Sequence, residues 1–357
     1  MQPSSMGAFI WRGAATETDM RVRLRHAVAA LSVCTFIYVV STDVWFACQP
    51  PPARIKRPPQ EPSDAVAGTR IAIVSVSTPD RVAMYQPATN SKQCYALSHG
   101  YTFVMDTNDA TTSLNPWWRK PTAIRKYLES GLYDWILFMD ADTVITNYTV
   151  KLEWFLPAAP NTNISLVLTD HNVALNNGVF FIRNGEWSLS FLDDWIDVGE
   201  MVHNRSQRWA WDDQGGMYEM LLRDAQVDYD GECSTPDACC EYGALQRCYN
   251  GRMKEAGHAY GSRQLPHVRF IDPRFHAVDE SSWIRGGFDQ YDRDQFNGQT
   301  WIYEEWSEEN FWRPGDFVLH VYDKSKLEQL VPREWADACS GDRTSEWEVS
   351  GTQGPDP

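Results

Sequence analysis

Basic residues are scarce in this chain of 357 residues. Its 32 Lys and Arg stand against 48 Asp and Glu, which gives a formal net charge of −16. That charge argues against a nucleic acid or an anionic lipid surface as the main partner. An acidic protein that handles phosphates would need a cation or a few placed lysines. Internal repeats are also lacking. The 43% hydrophobic content, with charge scattered among it, indicates a globular protein with one large α/β domain or two small ones.

Long apolar runs are lacking except near the N-terminus. After an arginine-rich start, residues 27–48 contain Asp43 as their only charge. At 1.5 Å per residue this segment is ~33 Å long, about the thickness of the hydrocarbon core of a bilayer. We predict a cytosolic tail (1–26) and a single transmembrane signal anchor (27–48), with the following domain in the lumen as in a type II protein. A cleaved signal peptide is the alternative, because the uninterrupted part, Ala27–Val40, is short.

The eight cysteines form no C-x-x-C zinc pattern. Both targeting alternatives lead to the oxidising secretory pathway, so the densest cysteine group predicts disulfides in a Cys-rich insertion over 230–262. A metal cluster is the alternative there. The group consists of Cys233, Cys239, Cys240 and Cys248. Three N-glycosylation sequons agree with the location, at Asn147, Asn163 and Asn204.

The order of the predicted elements indicates an α/β fold with a largely parallel sheet. Residues 49–69 are proline-rich and predict an extended stem. Strands are predicted near 71–78, 101–106, 135–145, 164–170 and 178–184, and helices at 86–99, 120–130 and from Trp187. Strands that alternate with helices favour a parallel sheet. The catalytic domain is expected over 70–335, followed by a polar, disordered tail at 336–357.

The sequence Asp140-Ala141-Asp142 follows five apolar residues at the end of a predicted strand. Alternate residues of a strand face the same way, so both carboxylates can converge on one cation. The carboxyl ends of strands are where α/β sheets bind ligands. Paired carboxylates repel unless a cation neutralises them, and oxygen ligands favour Mg²⁺, Mn²⁺ or Ca²⁺. A solvated turn after the strand is the alternative.

Two further candidates have weaker signals. Asp212, Asp213 and Gln214 follow Trp211, and acids there also suit a helix N-terminus. His320 ends the apolar run D-F-V-L-H, where a histidine is often structural. Lys324 and Lys326 follow it, and lysines in an acidic protein are candidates for binding phosphate.

Six motifs between Asn90 and Lys326 give the chain a resemblance to a known family. They are N-x-K-x-x-Y-x-x-x-H-G-Y (90–101), W-R-K-P (118–121), W-I-L-F-M-D-A-D (135–142), D-H-N-x-x-L-N-N-G-V-F-F-I-R-N-x-x-W-S (170–188), D-D-Q (212–214) and F-V-L-H (317–320). In this order they resemble the galactosyl/mannosyl/xylosyltransferase family, which is similar to glycosyltransferase family 34. The resemblance implies the GT-A nucleotide-diphospho-sugar transferase fold, a Rossmann-like, mostly parallel sheet flanked by helices.

The resemblance also implies roles for individual residues. Asp140, Asp142 and His320 would hold a divalent ion, Mn²⁺ or alternatively Mg²⁺. The donor nucleotide-sugar, a UDP-sugar or GDP-mannose, would be bound by Lys120, Asp170, Asn177 and Lys326. The reacting centre would be lined by Asp212, Asp213 and Gln214. The family implies a retaining reaction that moves galactose, xylose or mannose to a glycan or polysaccharide hydroxyl. Front-face attack is expected, because these residues include no obvious nucleophile. The resemblance also favours the Golgi membrane over the endoplasmic reticulum.

The chain departs from the family pattern after His320, where relatives often have glycine and this chain has Val321, Tyr322 and Asp323. That departure puts a diphosphate role of Lys324 or Lys326 in doubt. Trp117, Trp118, Trp209 and Trp211 are candidates for stacking on a glycan, with core packing as the alternative for each. Two other functions are the alternatives to a transferase: a lectin-like or scaffolding protein on an inactive transferase fold, and a two-metal phosphodiesterase or nucleotidyltransferase.

Overall fold

The computed structural model describes residues 68–107, 116–157, 162–169, 175–204, 213–227, 242–259, 263, 265–271, 275–279, 282–285, 290–291, 312–313, 315–321 and 327. All of them belong to one compact unit, Pro59–Pro357. The predicted tail, anchor and C-terminal segment lie outside these residues, as do most of the stem and residues 230–241 and 260–262 of the Cys-rich insertion. No helix in the described ranges is long and apolar enough to span a membrane.

Five α-helices occur in the described part of the chain. They are α1 (Gln86–His99), α2 (Arg119–Glu129), α3 (Glu186–Asn204), α4 (Asp213–Asp224) and α5 (Tyr242–Glu255). Short 3₁₀ helices span Val82–Tyr85, Pro116–Trp118 and Leu152–Phe155. Helix α1 ends as predicted at Gly100, whose φ of 75° suits a residue without a Cβ. Cys94 in α1 and Cys248 in α5 are both disulfide-bonded, which agrees with the prediction for Cys248.

The strands of the described residues form three sheets. The strands are β1 (Ile71–Val76), β2 (Thr102–Asp106), β3 (Trp135–Met139), β4 (Thr143–Ile145), β5 (Leu166–Thr169), β6 (Val179–Arg183), β7 (Val268–Ile271), β8 (Phe275–Asp279), β9 (Ser282–Arg285), β10 (Gln290–Tyr291) and β11 (Val318–His320). Six strands form the main sheet in the order β2-β1-β3-β6-β5-β7. Strand β6 runs antiparallel to both neighbours, and the other pairings are parallel. The predicted α/β fold with a largely parallel sheet is therefore confirmed.

Both faces of the main sheet are covered, because side chains alternate along each strand. In β3, Ile136 and Phe138 face a cluster that includes Ile124 of α2 and Trp195 of α3. Leu137 faces the opposite cluster, to which α1 contributes Tyr95 and Ala96. All five residues of β3 are buried. Burial on both faces explains why this strand reads as an unbroken apolar run.

The predicted strand 135–145 is wrong in one respect: it is two strands, separated by Asp140, Ala141 and Asp142. The backbone N–H of Thr143 donates to the carbonyl of Asp140 over 3.1 Å, which closes a tight turn. Strand β4 then leaves the main sheet and pairs with β11 in a second sheet, β10-β11-β4. The two aspartates are consequently turn residues and not members of a strand.

Candidate active site

The candidate site lies at the edge of the main sheet where β3 ends. Asp140 follows β3, and Gly178 precedes the antiparallel β6, so both belong to the same edge. The backbone N–H of Asp140 donates to the carbonyl of Gly178 over 2.7 Å. His320 arrives from the second sheet, where it pairs with Thr143. The parallel strands β1 and β2 also end at this edge, as is typical of ligand sites in α/β sheets.

Asp140, Asp142 and His320 come together as a possible metal site, with one ligand atom from each lying within 4.8 Å of the others. Nε2 of His320 is 3.4 Å from Oδ1 of Asp142. The turn and the second sheet produce this convergence, in place of the strand alternation that we expected. The N–H of Val321 donates to the carbonyl of Asp142 over 3.0 Å, which holds the end of β11 against the turn.

The donor set and its surroundings fit a divalent cation. Two carboxylates and an imidazole suit Mn²⁺, which accepts mixed oxygen and nitrogen ligation. Gly178 keeps the space beside them open: a Cβ there would lie 2.5 Å from Cε1 of His320 and 2.8 Å from Oδ2 of Asp140. Burial raises the pKa of Asp140 to about 6; Lys120 opposes this effect and Asp142 adds to it. About 30% of the Asp140 side chain is exposed, so the carboxylate remains accessible to an ion.

Lys120, at the start of α2, connects the metal candidates to α4. Its buried Nζ lies 3.2 Å from Oδ1 of Asp140 and 2.6 Å from Oδ2 of Asp213. It also donates to the side-chain and backbone oxygens of Asn177, over 3.0 and 3.1 Å. Burial alone would lower the pKa of Lys120, but attraction by the two aspartates outweighs it and leaves the pKa above its ordinary value. The ammonium group is therefore charged and surrounded by oxygens of the protein.

Asp213 and Gln214 are the first residues of α4, so the helix N-terminus and the functional candidate coincide. Oδ2 of Asp213 accepts from Lys120 and also from Nδ2 of Asn177, over 2.9 Å. The Gln214 amide donates to the carbonyl of Leu175 and to the hydroxyl of Tyr218. Asp213 is thus joined to Lys120 and Asn177. Three other predicted site residues, Asp170, Asp212 and Lys326, lie outside the described residues, as does Lys324.

Two further residues near the site were not predicted. Lys92 of α1 is 0% exposed, and its Nζ donates to the carbonyls of Asp140 over 2.7 Å and of Ala141 over 3.2 Å. Burial lowers the pKa of Lys92 to about 7, against the attraction of Asp142 and Asp140. Gly178 is the second, because its missing side chain leaves room beside Asp140 and His320. Both were visible in the sequence as letters of the family motifs, but neither spacing nor composition assigned them a role.

Comparison with known proteins supports a relationship to sugar-transferring enzymes. Residues 92–225 match the family DUF273, described as proteins of unknown function. Galactomannan galactosyltransferase 1 of Cyamopsis tetragonoloba is 30% identical over 151 residues, which is 38% of this chain and 34% of that protein. Xyloglucan 6-xylosyltransferase 4 of Arabidopsis thaliana is 32% identical over 120 residues, or 31% and 23% of the two chains. Part of the chain is therefore related to plant glycosyltransferases. It spans about a third or less of their length.

Solved structures resemble the chain more distantly. One is a glycosyltransferase involved in glycosylation of the major capsid of PBCV-1. The match covers 73% of this chain and 97% of that protein, at 13% identity and a TM-score of 0.41. Another is the galactosyltransferase LgtC, solved with donor and acceptor sugar analogs. That match covers 74% of this chain and 99% of LgtC, at 11% identity and a TM-score of 0.34.

Proposed function

We propose that this chain is a metal-dependent glycosyltransferase of the GT-A type. It would move galactose, xylose or mannose from a nucleotide-diphosphate sugar to a glycan hydroxyl, with a UDP-sugar as the favoured donor and GDP-mannose as the alternative. One observation carries the proposal: Asp140, Asp142 and His320 converge at the edge of the sheet where β3 ends. Asp140 and Asp142 lie within residues 92–225, which match the DUF273 family, and part of the chain is related to plant galactosyl- and xylosyltransferases.

Asp140, Asp142 and His320 would hold the ion. Mn²⁺ is favoured over Mg²⁺ because one of the three ligands is an imidazole. When bound, the ion would act as a Lewis acid that neutralises charge on the departing diphosphate. It would also relieve repulsion between the two aspartates. An acidic chain that must bind a diphosphate needs such a local source of positive charge.

We assign Lys120 a different role from the diphosphate contact that the resemblance implied. Four oxygens of the protein lie within 3.2 Å of its Nζ, whereas an ammonium group has three protons to donate. Lys120 would therefore orient Asp140 and Asp213 and hold Asn177 between them. Its charge still contributes to the positive potential of the site.

The surroundings of Asp213 favour front-face attack with retention of configuration. A nucleophilic carboxylate needs a lone pair that is free and aimed at the sugar. Oδ2 of Asp213 instead accepts from Lys120 and Asn177, and only 8% of the side chain is exposed. Asp213 would serve to steady positive charge that develops at the anomeric carbon, and Gln214 would line the same space. The acceptor hydroxyl would transfer its proton to the departing phosphate oxygen.

The location is part of the proposal. The predicted anchor at 27–48 and the predicted stem would place the catalytic domain in the lumen of the Golgi, where nucleotide-sugars and glycan acceptors meet. The participation of Cys94 and Cys248 in disulfide bonding supports an oxidising compartment.

The proposal is tested by donor hydrolysis. The full chain, produced in a eukaryotic secretory host and purified in detergent, is incubated with a panel of UDP- and GDP-sugars, with Mn²⁺ or with chelator. We expect one donor to be hydrolysed, and the activity to vanish with chelator and in Asp142→Ala. Asp134→Ala is the matched control, since Asp134 pairs with Arg70 at the surface. If no nucleotide-sugar binds or reacts with metal present, the proposal fails; binding that persists in Asp142→Ala without turnover would favour the lectin-like alternative.

A further inference from the structure

Helix α1 is joined to the chain that follows β3 by a series of side-chain hydrogen bonds. Tyr95 and Tyr148 each donate a phenolic proton across this contact, to the carbonyls of Val150 and Ser91 over 2.6 and 2.8 Å. The N–H of Ile145 donates to the Ser91 hydroxyl over 3.2 Å. These bonds lie one above another because residues three and four apart share a helix face. Tyr95, which is part of the first family motif, and Ser91 thus hold the segment that follows the metal candidates.

Lys92 stands at the end of this series nearest the site, under the turn that contains the two aspartates. It is the only lysine in the described residues with no exposed surface at all. Transfer of an ammonium group out of water is costly unless hydrogen bonds and nearby negative charge compensate. Here two carbonyls of the turn accept its protons, and the carboxylates of Asp140 and Asp142 supply the negative field.

The bonds of Lys92 complete the hydrogen bonding of the turn. The carbonyl of Asp140 also accepts from the N–H and the hydroxyl of Thr143, over 3.1 and 2.7 Å. The carbonyl of Asp142 accepts from Val321. Because Lys92 donates to the carbonyls of Asp140 and Ala141, each of the three carbonyls of the turn accepts at least one hydrogen bond. The backbone is held from beneath, while one ligand oxygen of each aspartate remains beside His320.

We propose that Lys92 is a positioning residue for the cation site: its buried ammonium group fixes the Asp140-Ala141-Asp142 turn so that both carboxylates stand ready to bind the ion. The inference rests on the proposed metal site and adds a residue that never touches the metal. Residues that orient metal ligands typically change metal affinity by about 10- to 100-fold when they are replaced. A lysine that merely filled the core would affect folding and leave metal affinity unchanged.

The test compares Lys92→Met with Tyr148→Phe in the full chain. Both substitutions remove hydrogen bonds between α1 and the following segment, but the bond of Tyr148 ends on Ser91 and not on the turn. Mn²⁺ affinity is measured by electron paramagnetic resonance of the free ion, and stability by urea unfolding. We expect Lys92→Met to raise the dissociation constant for Mn²⁺ about 10-fold or more, and Tyr148→Phe to leave it within about twofold, as expected for a bond outside the turn.

If Lys92→Met does not fold, Lys92→Gln replaces it, because an amide keeps one donor for the turn and avoids a bare apolar end beneath it. Equal Mn²⁺ affinity in the wild type and in the folded Lys92 variant would overturn the inference and leave the proposed function intact. A wild-type chain that binds no Mn²⁺ would overturn both. Weakening of Mn²⁺ binding by Tyr148→Phe to the same extent would also overturn it, since the effect would then belong to the whole helix contact.

Discussion

Gly178 lies directly against His320. A Cβ built on Gly178 would stand 2.5 Å from Cε1 of that imidazole and 2.8 Å from Oδ2 of Asp140. The same glycine accepts the backbone hydrogen bond of Asp140 through its carbonyl. The residue therefore holds one metal candidate by its backbone and gives room to two by its missing side chain.

Gly178→Ala should impair the cation site more than the fold. The added methyl group must push His320 or Asp140 aside, and sites of this kind tolerate displacements of only about 0.5 Å. Overpacking of this kind costs about 1–3 kcal/mol of stability, whereas we expect Mn²⁺ affinity and donor hydrolysis to fall about 10-fold or more, as for disturbed ligand geometry. Isothermal titration with Mn²⁺ and urea unfolding measure the two effects.

Gly185→Ala is the matched control, because nothing lies within 4 Å of a Cβ built there. We expect it to bind Mn²⁺ like the wild type. If Gly178→Ala also bound Mn²⁺ with unchanged affinity, the cation could not occupy the space between His320 and Asp140.

Lys120→Met should destabilise the fold strongly. The substitution removes the ammonium group that pairs with the carboxylates of Asp140 and Asp213. A buried charge that loses its partner costs about 3–5 kcal/mol of stability. Asp213→Asn added to Lys120→Met removes one of those charges, so the double variant should recover part of the loss. Urea unfolding of the wild type, both single variants and the double variant gives the coupling free energy. Additive effects would contradict the ion pair that the structure shows.

Mn²⁺ should stabilise the folded chain, because the three donors are assembled only in the native state. At about 100 times its dissociation constant, a ligand of the folded state adds about 2.7 kcal/mol to the free energy of unfolding. The melting temperature should therefore rise with Mn²⁺ and return to its starting value with chelator. The rise should be smaller with Mg²⁺, which has less affinity for imidazole.

Asp142→Asn should abolish the rise in melting temperature that Mn²⁺ causes, and the surface variant Asp134→Asn should retain that rise. A melting temperature that rises equally in wild type and Asp142→Asn would show that the ion acts elsewhere on this acidic chain. The comparison therefore separates specific binding from general screening of a net charge of −16.

The parts of the fold that could be predicted were those with a local cause. Gly100 ends α1 because a left-handed residue follows its last turn. The buried runs of β1 and β3 are strands because both faces of the sheet are covered. The apolar run before Asp140 and Asp142 predicts a cation site, whereas His320 is assigned to it by the family resemblance alone. The structure brings the three residues together.

What could not be predicted depends on contacts between distant elements. The split between β3 and β4 arises because β4 pairs with β11, some 170 residues further along the chain. The burial of Lys92 runs against the usual exposure of lysine, and its reason lies in carbonyls 48 and 49 residues away. The oxygens around Lys120 come from the turn after β3, the residue before Gly178 and the start of α4. Only the folded chain could therefore show that oxygens of the protein already occupy its three protons.

The two adjacent tryptophans before α2 should differ sharply in their contribution to stability. The ring of Trp118 lies between α3 and α4, where Cβ atoms built on Gly199 and Gly216 would approach it to 2.5 and 2.6 Å. Trp117 is 52% exposed. We expect Trp118→Ala to cost about 3–5 kcal/mol and Trp117→Ala to stay within about 0.5 kcal/mol of the wild type, both measured by urea unfolding.

The same pair separates the two interpretations of the tryptophans, as core residues or as platforms for a sugar ring. Trp118 is 4% exposed and has no free face for a ligand, so its loss should lower activity only through the fold, with the Michaelis constant for the acceptor unchanged in the folded fraction. Trp117 lies three residues before Lys120 in the sequence, and its exposed ring is available for stacking on a sugar. Trp117→Ala should therefore raise the Michaelis constant for a glycan acceptor while the unfolding free energy and Mn²⁺ affinity stay constant. If the Michaelis constant for the acceptor did not change, Trp117 would belong to neither the core nor the acceptor site.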